Sequence, residues 1–235
     1  MVITMKKTVL FLMVIFLMIG VCGCGMKGQD KVNRMVAYIN NKYANDSFAY
    51  KSMAGGHLGS NVTKIIVTSE KYPEKSIRVI CSEVEGTEVF SDTYLNIKYE
   101  DQTRNYIKEV LTAEFGANVY LNYIPSDVAS ENNGTSDTTF AEYIADENTF
   151  ITFSAVVCGE VVDEIAMTEK IKAMFSEAVL CGAIYFADED GMDFSGESGK
   201  LAAQKCIEEK NYNKKLYFIK KTVNDYAKTE WTDGK

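Results

Sequence analysis

The residues of this chain best suited to chemistry are one histidine and six cysteines, set among 33 carboxylates. His57 lies in the bend Gly55-Gly56-His57-Leu58-Gly59-Ser60-Asn61. Backbone amides in a glycine-rich bend can cradle an anion, with His57 moving a proton or Ser60 acting as nucleophile. The segment matches neither GxxxxGK[ST] nor GxGxxG, and strand-like rather than helical sequence follows it. Its glycines also suit a sharp turn between strands, where positive φ is needed. With a single histidine, any Ser-His-Asp triad must pass through His57, and no GxSxG elbow is present to support one. Gly55, Gly56, His57 and Ser60 are therefore candidate ligand-binding residues, with His57 the one weak catalytic candidate.

Two further polar stretches invite a chemical reading. Asp188-Glu189-Asp190-Gly191-Met192-Asp193 gathers hard oxygen donors of the kind that bind Ca²⁺, but the EF-hand spacing is missing and a polar turn accounts for it. The loop Asn132–Phe140 suits a helix cap, with Ser136 or Asp137 accepting the first free amides. Lying between a strand and a helix, it also makes Asp137 a candidate ligand contact. The sequence assigns no metal and no cofactor.

Cys24 carries a different chemistry. Lys6 and Lys7 precede an uncharged run, Val9–Gly23, ending Val21-Cys22-Gly23-Cys24. A basic start, a short apolar centre and small terminal residues describe a secretory signal. Fifteen residues at ~1.5 Å rise fall short of the ~30 Å hydrocarbon slab. The terminal tetrapeptide resembles a bacterial lipobox, which implies diacylglycerol in thioether linkage to Cys24 and cleavage after Gly23. Met5-Lys6-Lys7 already begins a complete signal. Residues 1–23 are thus expected to be a signal peptide and residues 24–30 the lipidated cysteine and a short tether. The protein is expected at the cell membrane, lipid-anchored on its extracytoplasmic face.

Removing residues 1–23 takes away two lysines and no acid, leaving 23 basic against 33 acidic residues, or −10. That balance disfavours nucleic acid, whose phosphates need a basic footprint. It also disfavours broad contact with anionic lipid, so the anchor on Cys24 is the expected membrane contact, with an unidentified protein or small ligand as the other partner. Cys81, Cys158, Cys181 and Cys206 remain after processing. No two form a CxxC pair, which argues against zinc. Buried thiols are the favoured reading, with a disulfide still open.

These residues are positioned by a mixed set of elements. Val32, Met35, Val36, Ile39 and Tyr43 mark one face of a helix, with Asp30 as its cap. Strands are predicted at 47–53, Val62–Ser69, Ser76–Glu83 and Glu88–Leu95, close enough in sequence to be antiparallel neighbours. Tyr99, Thr103, Tyr106, Ile107, Val110 and Leu111 predict a second helix stopped by Gly116. The remainder alternates: strand at Val119–Tyr123, helix Thr138–Ala145, strand Phe150–Val157, helix Glu164–Leu180 closed by Gly182, strand Ala183–Ala187, helix Gly199–Lys210 and strand Lys214–Lys220. At 46% hydrophobic residues and only two prolines the chain can fill a core, and no linker divides it. The expectation is an α+β fold read as a single domain over 31–220, with an antiparallel sheet and packed helices in the first half, alternating elements in the second, and a polar C-terminal tail at 221–235, docking of Trp231 back onto the body being the alternative.

Taken together, Ser52-Met53-Ala54-Gly55-Gly56-His57-Leu58-Gly59-Ser60, Glu70-Lys71-Tyr72-Pro73, Asp92-Thr93-Tyr94-Leu95 and Ser136-Asp137-Thr138-Thr139-Phe140 resemble a group of uncharacterised lipoproteins from clostridia-like Gram-positive bacteria. The resemblance covers most of the processed chain. It implies a Gram-positive membrane and an outward-facing domain, and it transfers no activity and no catalytic residues. The reading favoured by the residues is a non-enzymatic binding or interaction module; the alternative is a cell-envelope hydrolase acting through His57.

Overall fold

Val32, Met35, Ile39 and Tyr43 recur at helical spacing, and in the computed structural model all four are buried along one side of a helix, α1, spanning residues 28–42. The structure describes residues 28–55, 61–126, 134–187, 194, 196–222 and 225–234. They belong to two compact units that divide between Asp92 and Thr93. Asp30 lies inside α1 rather than capping it, and the expected tether is shortened because residues 28–30 are already helical.

In the first unit, α1 is followed by β1 (Phe48–Gly55), β2 (Val62–Ser69), β3 (Ile77–Val84) and β4 (Thr87–Asp92), paired in that order as an antiparallel meander. Alternation decides the faces: Ile65 and Val67 of β2 and Ile77, Val79 and Cys81 of β3 are fully or almost fully buried, while the residues between them are half-buried. The turn between β3 and β4 runs through Glu85 and Gly86, both at positive φ, which glycine at the second position tolerates without strain. β4 is shorter than expected. The chain turns after Asp92 into a five-residue helix, α2 (Tyr94–Lys98), whose first turn is closed by Ile97 N–H on Thr93 O.

The second unit continues with α3 (Glu100–Phe115), stopped at Gly116 with φ 79°, as its sequence position predicts. β5 (Val119–Tyr123), α4 (Phe140–Ala145), β6 (Thr152–Cys158), α5 (Glu164–Met174), β7 (Cys181–Ala187), α6 (Gly196–Glu208), β8 (Lys214–Thr222) and β9 (Asp225–Asp233) follow. The sheet order is β5-β6-β7-β8-β9; β6 and β7 are parallel and every other pair is antiparallel. A parallel pair needs a crossover, and α5 supplies it. One sheet face packs Phe153, Phe175 and Phe218 with ring centroids 5.6–6.1 Å apart. The opposite face holds Val156, Ala187, Phe194, Ala203, Cys206 and Tyr212, bringing α6 onto the sheet. The α+β class therefore matches the expectation, while α2 and β9 are elements the sequence reading lacked.

Three further differences have a tertiary reason. α5 ends at Met174 with Phe175 as its cap, not at Leu180, because the chain beyond it is drawn into other bonds: Val179 N–H reaches Ile144 O at 2.6 Å and Cys181 N–H reaches Ile151 O at 2.9 Å. Gly182 consequently closes no helix. It sits inside β7, where a Cβ would lie 2.7 Å from the rings of Phe153 and Phe218. The C-terminal residues are not a tail: 225–233 form β9 against β8, and Trp231 donates its indole N–H to Thr168 Oγ1 at 2.9 Å while its ring lies 5.7 Å from that of Phe186. Alternation in β9 is mostly polar because its strand is an edge, so its pairing leaves little trace in hydropathy.

Candidate functional site

The glycine-rich segment connects β1 to β2 in the sequence, and these two strands are paired. β1 and β2 run antiparallel to the pair Gly55↔Lys64, with register shifts between Tyr50 and Ser52 and between Met53 and Gly55. Gly55 has φ 150°, where a side chain is disfavoured although space for one exists, since a Cβ would meet only Lys64 Cδ at 4.0 Å. Gly56, His57 and Ser60 lie outside the described residues. At the start of β1, Asn40 of α1 acts as a substitute strand: its Oδ1 accepts from Phe48 N–H and its Nδ2 donates to Phe48 O, both at 3.0 Å. Beyond that point every residue of β1 is exposed, Tyr50 and Met53 included. Bulges in an edge strand limit pairing with other sheets while turning side chains outward. β1 is thus an exposed edge of the sheet up to Gly55.

Asp137 belongs to the second unit. It is exposed, and the helix cap beside it is made by Thr139, not by Ser136 or Asp137. Thr139 Oγ1 accepts from Glu142 N–H and Glu142 Oε2 accepts from Thr139 N–H at 2.7 Å, a reciprocal capping box that holds the Glu142 carboxyl below its ordinary range. Thr135 N–H donates to Thr138 Oγ1, and Asp137 N–H to Thr135 Oγ1. Lys98 Nζ donates to the carbonyls of Ser136 and Thr138, and Tyr99 Oη also donates to Thr138 O. The amides expected to meet a ligand are largely committed within the loop. A capping box two residues further on, Thr139-x-x-Glu142, is readable in the sequence and marks the helix start better than Ser136 or Asp137.

A polar cluster in the first unit is not signalled by any motif. The Asp92 carboxylate is wholly buried, and Lys42 Nζ and Tyr38 Oη donate to its Oδ2 at 2.9 Å while Tyr43 Oη donates to Oδ1 at 3.0 Å. Lys42 Nζ also donates to Tyr38 Oη at 2.9 Å. Tyr38 and Lys42 are one helical turn apart and Tyr43 is the next residue, so α1 aims all three at the end of β4. A buried carboxylate so bound is a fixed ionic latch between helix and sheet, with its lone pairs occupied rather than offered to a substrate.

Lys220 in β8 is 2% exposed, and its Nζ donates to the carbonyls of Phe175 at 2.6 Å and Ser176 at 2.8 Å. The ammonium sits at the C-terminal end of α5, where the helix dipole favours a cation, and burial pushes its pKa down. It terminates α5 where sequence periodicity alone continued it. Cys81, Cys158, Cys181 and Cys206 are thiols. Burial pushes the pKa of Cys81, Cys181 and Cys206 up. Among the described residues no three His, Cys, Asp or Glu side chains come together as a metal site, and no helix is long and apolar enough to cross a membrane. The Asp188–Asp193 turn and Cys24 lie outside the described residues.

The two sheets with their helices define an α+β protein. No protein-family model and no curated protein matches the chain. It is similar to the crystal structure of a DUF5037 family protein from Ruminococcus gnavus, a clostridia-like bacterium, at 14% identity over 83% of this chain and 93% of that one, with a TM-score of 0.32.

Proposed function

We propose that this chain is a lipid-anchored protein of a Gram-positive cell membrane whose extracytoplasmic α+β body binds a protein or small ligand without catalysing a reaction. The observation that carries the reading is Val21-Cys22-Gly23-Cys24 at the end of an uncharged run behind Lys6 and Lys7. Charge distribution supports it. From Cys24 to Asp92 the chain has nine basic and eight acidic residues, whereas from Thr93 onward it has 14 basic and 25 acidic, or −11. The unit next to the anchor is near neutral and bears little repulsion from anionic headgroups; the second unit would be repelled by them. Two acyl chains hold firmly because each buried methylene contributes about 0.8 kcal/mol. The exposed β1 and the bend Gly55–Asn61 that follows it are the contact region this reading assigns.

The test is expression of the full chain in a Gram-positive host, followed by fractionation and mass spectrometry of the N-terminal peptide. The reading expects a diacylglyceryl thioether on Cys24 and release of Cys24→Ser from the membrane fraction. An unmodified thiol at position 24, or recovery from cytosol, overturns it.

A further inference from the structure

The five-stranded sheet of the second unit is covered unequally on its two faces. On one, Phe153, Ala155, Ile184, Phe186, Leu216 and Phe218 are buried. On the other, α6 reaches one end only, where Val156 and Ala187 are buried with Ala203 and Cys206. The far end of that face is open. Thr152 and Ser154 of β6, Cys181 and Ala183 of β7, and Tyr217 and Ile219 of β8 are half-buried there, and none belongs to the α6 cluster. Pairing aligns them in two rows: Asn122, Ser154, Ala183 and Tyr217 lie opposite one another from β5 to β8, and Thr152, Cys181 and Ile219 form the next row. With strands ~4.8 Å apart, the small side chains of β6 and β7 floor a trough about 14 Å across, from the β5 wall to the β8 wall. Asn122 and Ile124 stand on one side, Tyr217 and Ile219 on the other. Between β5 and β6 the trough deepens into a cleft of about 260 Å³ lined by Asn122, Ile124, Thr152, Phe153 and Ser154. Clefts that bury drug-sized ligands run from roughly 300 to 1,000 Å³, so this one takes a single ring of a ligand that continues along the trough.

The chemistry of the lining selects the occupant. Among the described residues, the side chains of Asn122, Thr152 and Ser154 make no hydrogen bond within the chain, so one amide and two hydroxyls are offered to a ligand. The floor and walls carry no charge. Lys228 and Glu230, which continue the rows onto β9, are paired with each other at 2.5 Å, and Lys215 lies over the Tyr185 ring at the α6 end. An anion therefore has no cation on the floor or walls. β6 and β7 are interior strands whose backbone groups already face neighbours on both sides, so an added strand has nothing to pair with there. An apolar helix laid in the trough would leave the amide and both hydroxyls buried without partners. A neutral ring with hydroxyls at its edge and C–H groups on its faces satisfies both parts, its faces against Ile124, Ile219 and the Tyr217 ring. We propose that this trough binds a neutral saccharide, one ring of which enters the cleft between β5 and β6 and hydrogen-bonds Asn122, Thr152 and Ser154. The inference goes beyond the anchoring proposal: it names a site in the second unit, uses no residue of β1 and needs no lipid on Cys24.

The test titrates the full chain, held in a detergent without a sugar headgroup, with maltotriose and with chitotriose, and reads binding by saturation-transfer difference NMR and calorimetry. At least one of the two should bind in the millimolar range. Asn122→Ala and Ser154→Ala should each weaken that binding by about tenfold. Ala183→Leu fills the floor, removes no polar group and should abolish it. Leu201→Ala, at an exposed position of α6, should leave it unchanged. Glucose 6-phosphate should bind no better than glucose. Failure of both oligosaccharides to bind the native chain overturns the proposal, whether the trough then seats a second copy or nothing. Binding that survives Ala183→Leu in a folded variant, or that favours the phosphorylated sugar, overturns it as well. The first measurement uses the unsubstituted protein, so the proposal stands or falls even where a variant fails to fold.

Discussion

Removing the ammonium from the Asp92 latch should harm the first unit more than removing both charges. In Lys42→Met the carboxylate keeps Tyr38 and Tyr43 as donors but loses its countercharge, and with no exposure it has no route to water. Breaking a buried pair from one side costs about 3–5 kcal/mol, and the two retained phenols put this case near the lower figure, about 3 kcal/mol. In Asp92→Asn the stranded group is the ammonium. Lys42 is 12% exposed along its side chain and can turn toward solvent, so about 1–2 kcal/mol is expected. The double variant strands no charge and should also cost about 1–2 kcal/mol, leaving a coupling of roughly 3 kcal/mol. With a slope of about 2 kcal/mol per molar guanidinium chloride for so small a unit, Lys42→Met should lower the midpoint by about 1.5 M and the double variant by less than 1 M. Far-UV circular dichroism follows the transition, while fluorescence of Trp231, the chain's single tryptophan and part of β9, provides a reference within the second unit. A double variant as unstable as Lys42→Met, or single effects that simply add, would refute the latch.

Gly182→Ala should destabilise the second unit by about 1–3 kcal/mol, because a methyl 2.7 Å from two packed rings forces the aromatic cluster apart; a thermal melt followed by Trp231 fluorescence checks it. Thr139→Ala should cost about 1 kcal/mol through loss of the hydroxyl that accepts from Glu142 N–H, with Glu142→Gln milder because the amide oxygen still accepts from Thr139 N–H. The Glu88 carboxyl is held below its ordinary range by its hydrogen bonds with the Arg34 guanidinium. Its stabilising contribution is present above the unfolded carboxyl value and is lost as pH falls through the depressed folded value, so Arg34→Met should flatten the acid limb of a urea-midpoint profile by well under 1 kcal/mol for so exposed a pair. Lys220 has a lowered folded value, so unfolded chain binds more protons on the alkaline side and stability should rise as pH climbs through the folded value toward the unfolded one. Lys220→Met, measured as a difference from the native chain by urea denaturation, should lack that rise.

Much of the fold was legible because local chemistry and tertiary packing agree. Val32, Met35, Ile39 and Tyr43 specify the buried stripe of α1, strict alternation specifies β2 and β3, and Gly116 stops α3 at a conformation glycine alone takes easily. The proposed compartment rests on sequence alone, because charge, length and terminal residues of an N-terminal segment are read by processing machinery rather than by packing. The candidate site was less legible. Thr139 caps the helix in place of Ser136 or Asp137, and the spacing to Glu142 that lets it do so is local, so the residues themselves carried that information.

Other features exist only in three dimensions. α5 stops at Met174 where Lys220, 45 residues beyond the cap Phe175, places an ammonium on the carbonyls of Phe175 and Ser176. Gly182 belongs to a strand because Phe153 and Phe218 need the volume its missing side chain leaves. β9 exists because β8 offers it a ladder of backbone bonds, which no periodicity of its mostly polar residues announces. The ion pair of Lys42 with Asp92 spans 50 residues, and the hydrogen bond from Asn118 to the sulfur of Cys158 spans 40. Residue type and spacing determine what a segment prefers by itself; which distant partner satisfies a buried charge, a carbonyl or a sulfur is decided only when the chain closes around it, because that is when water is removed as the alternative.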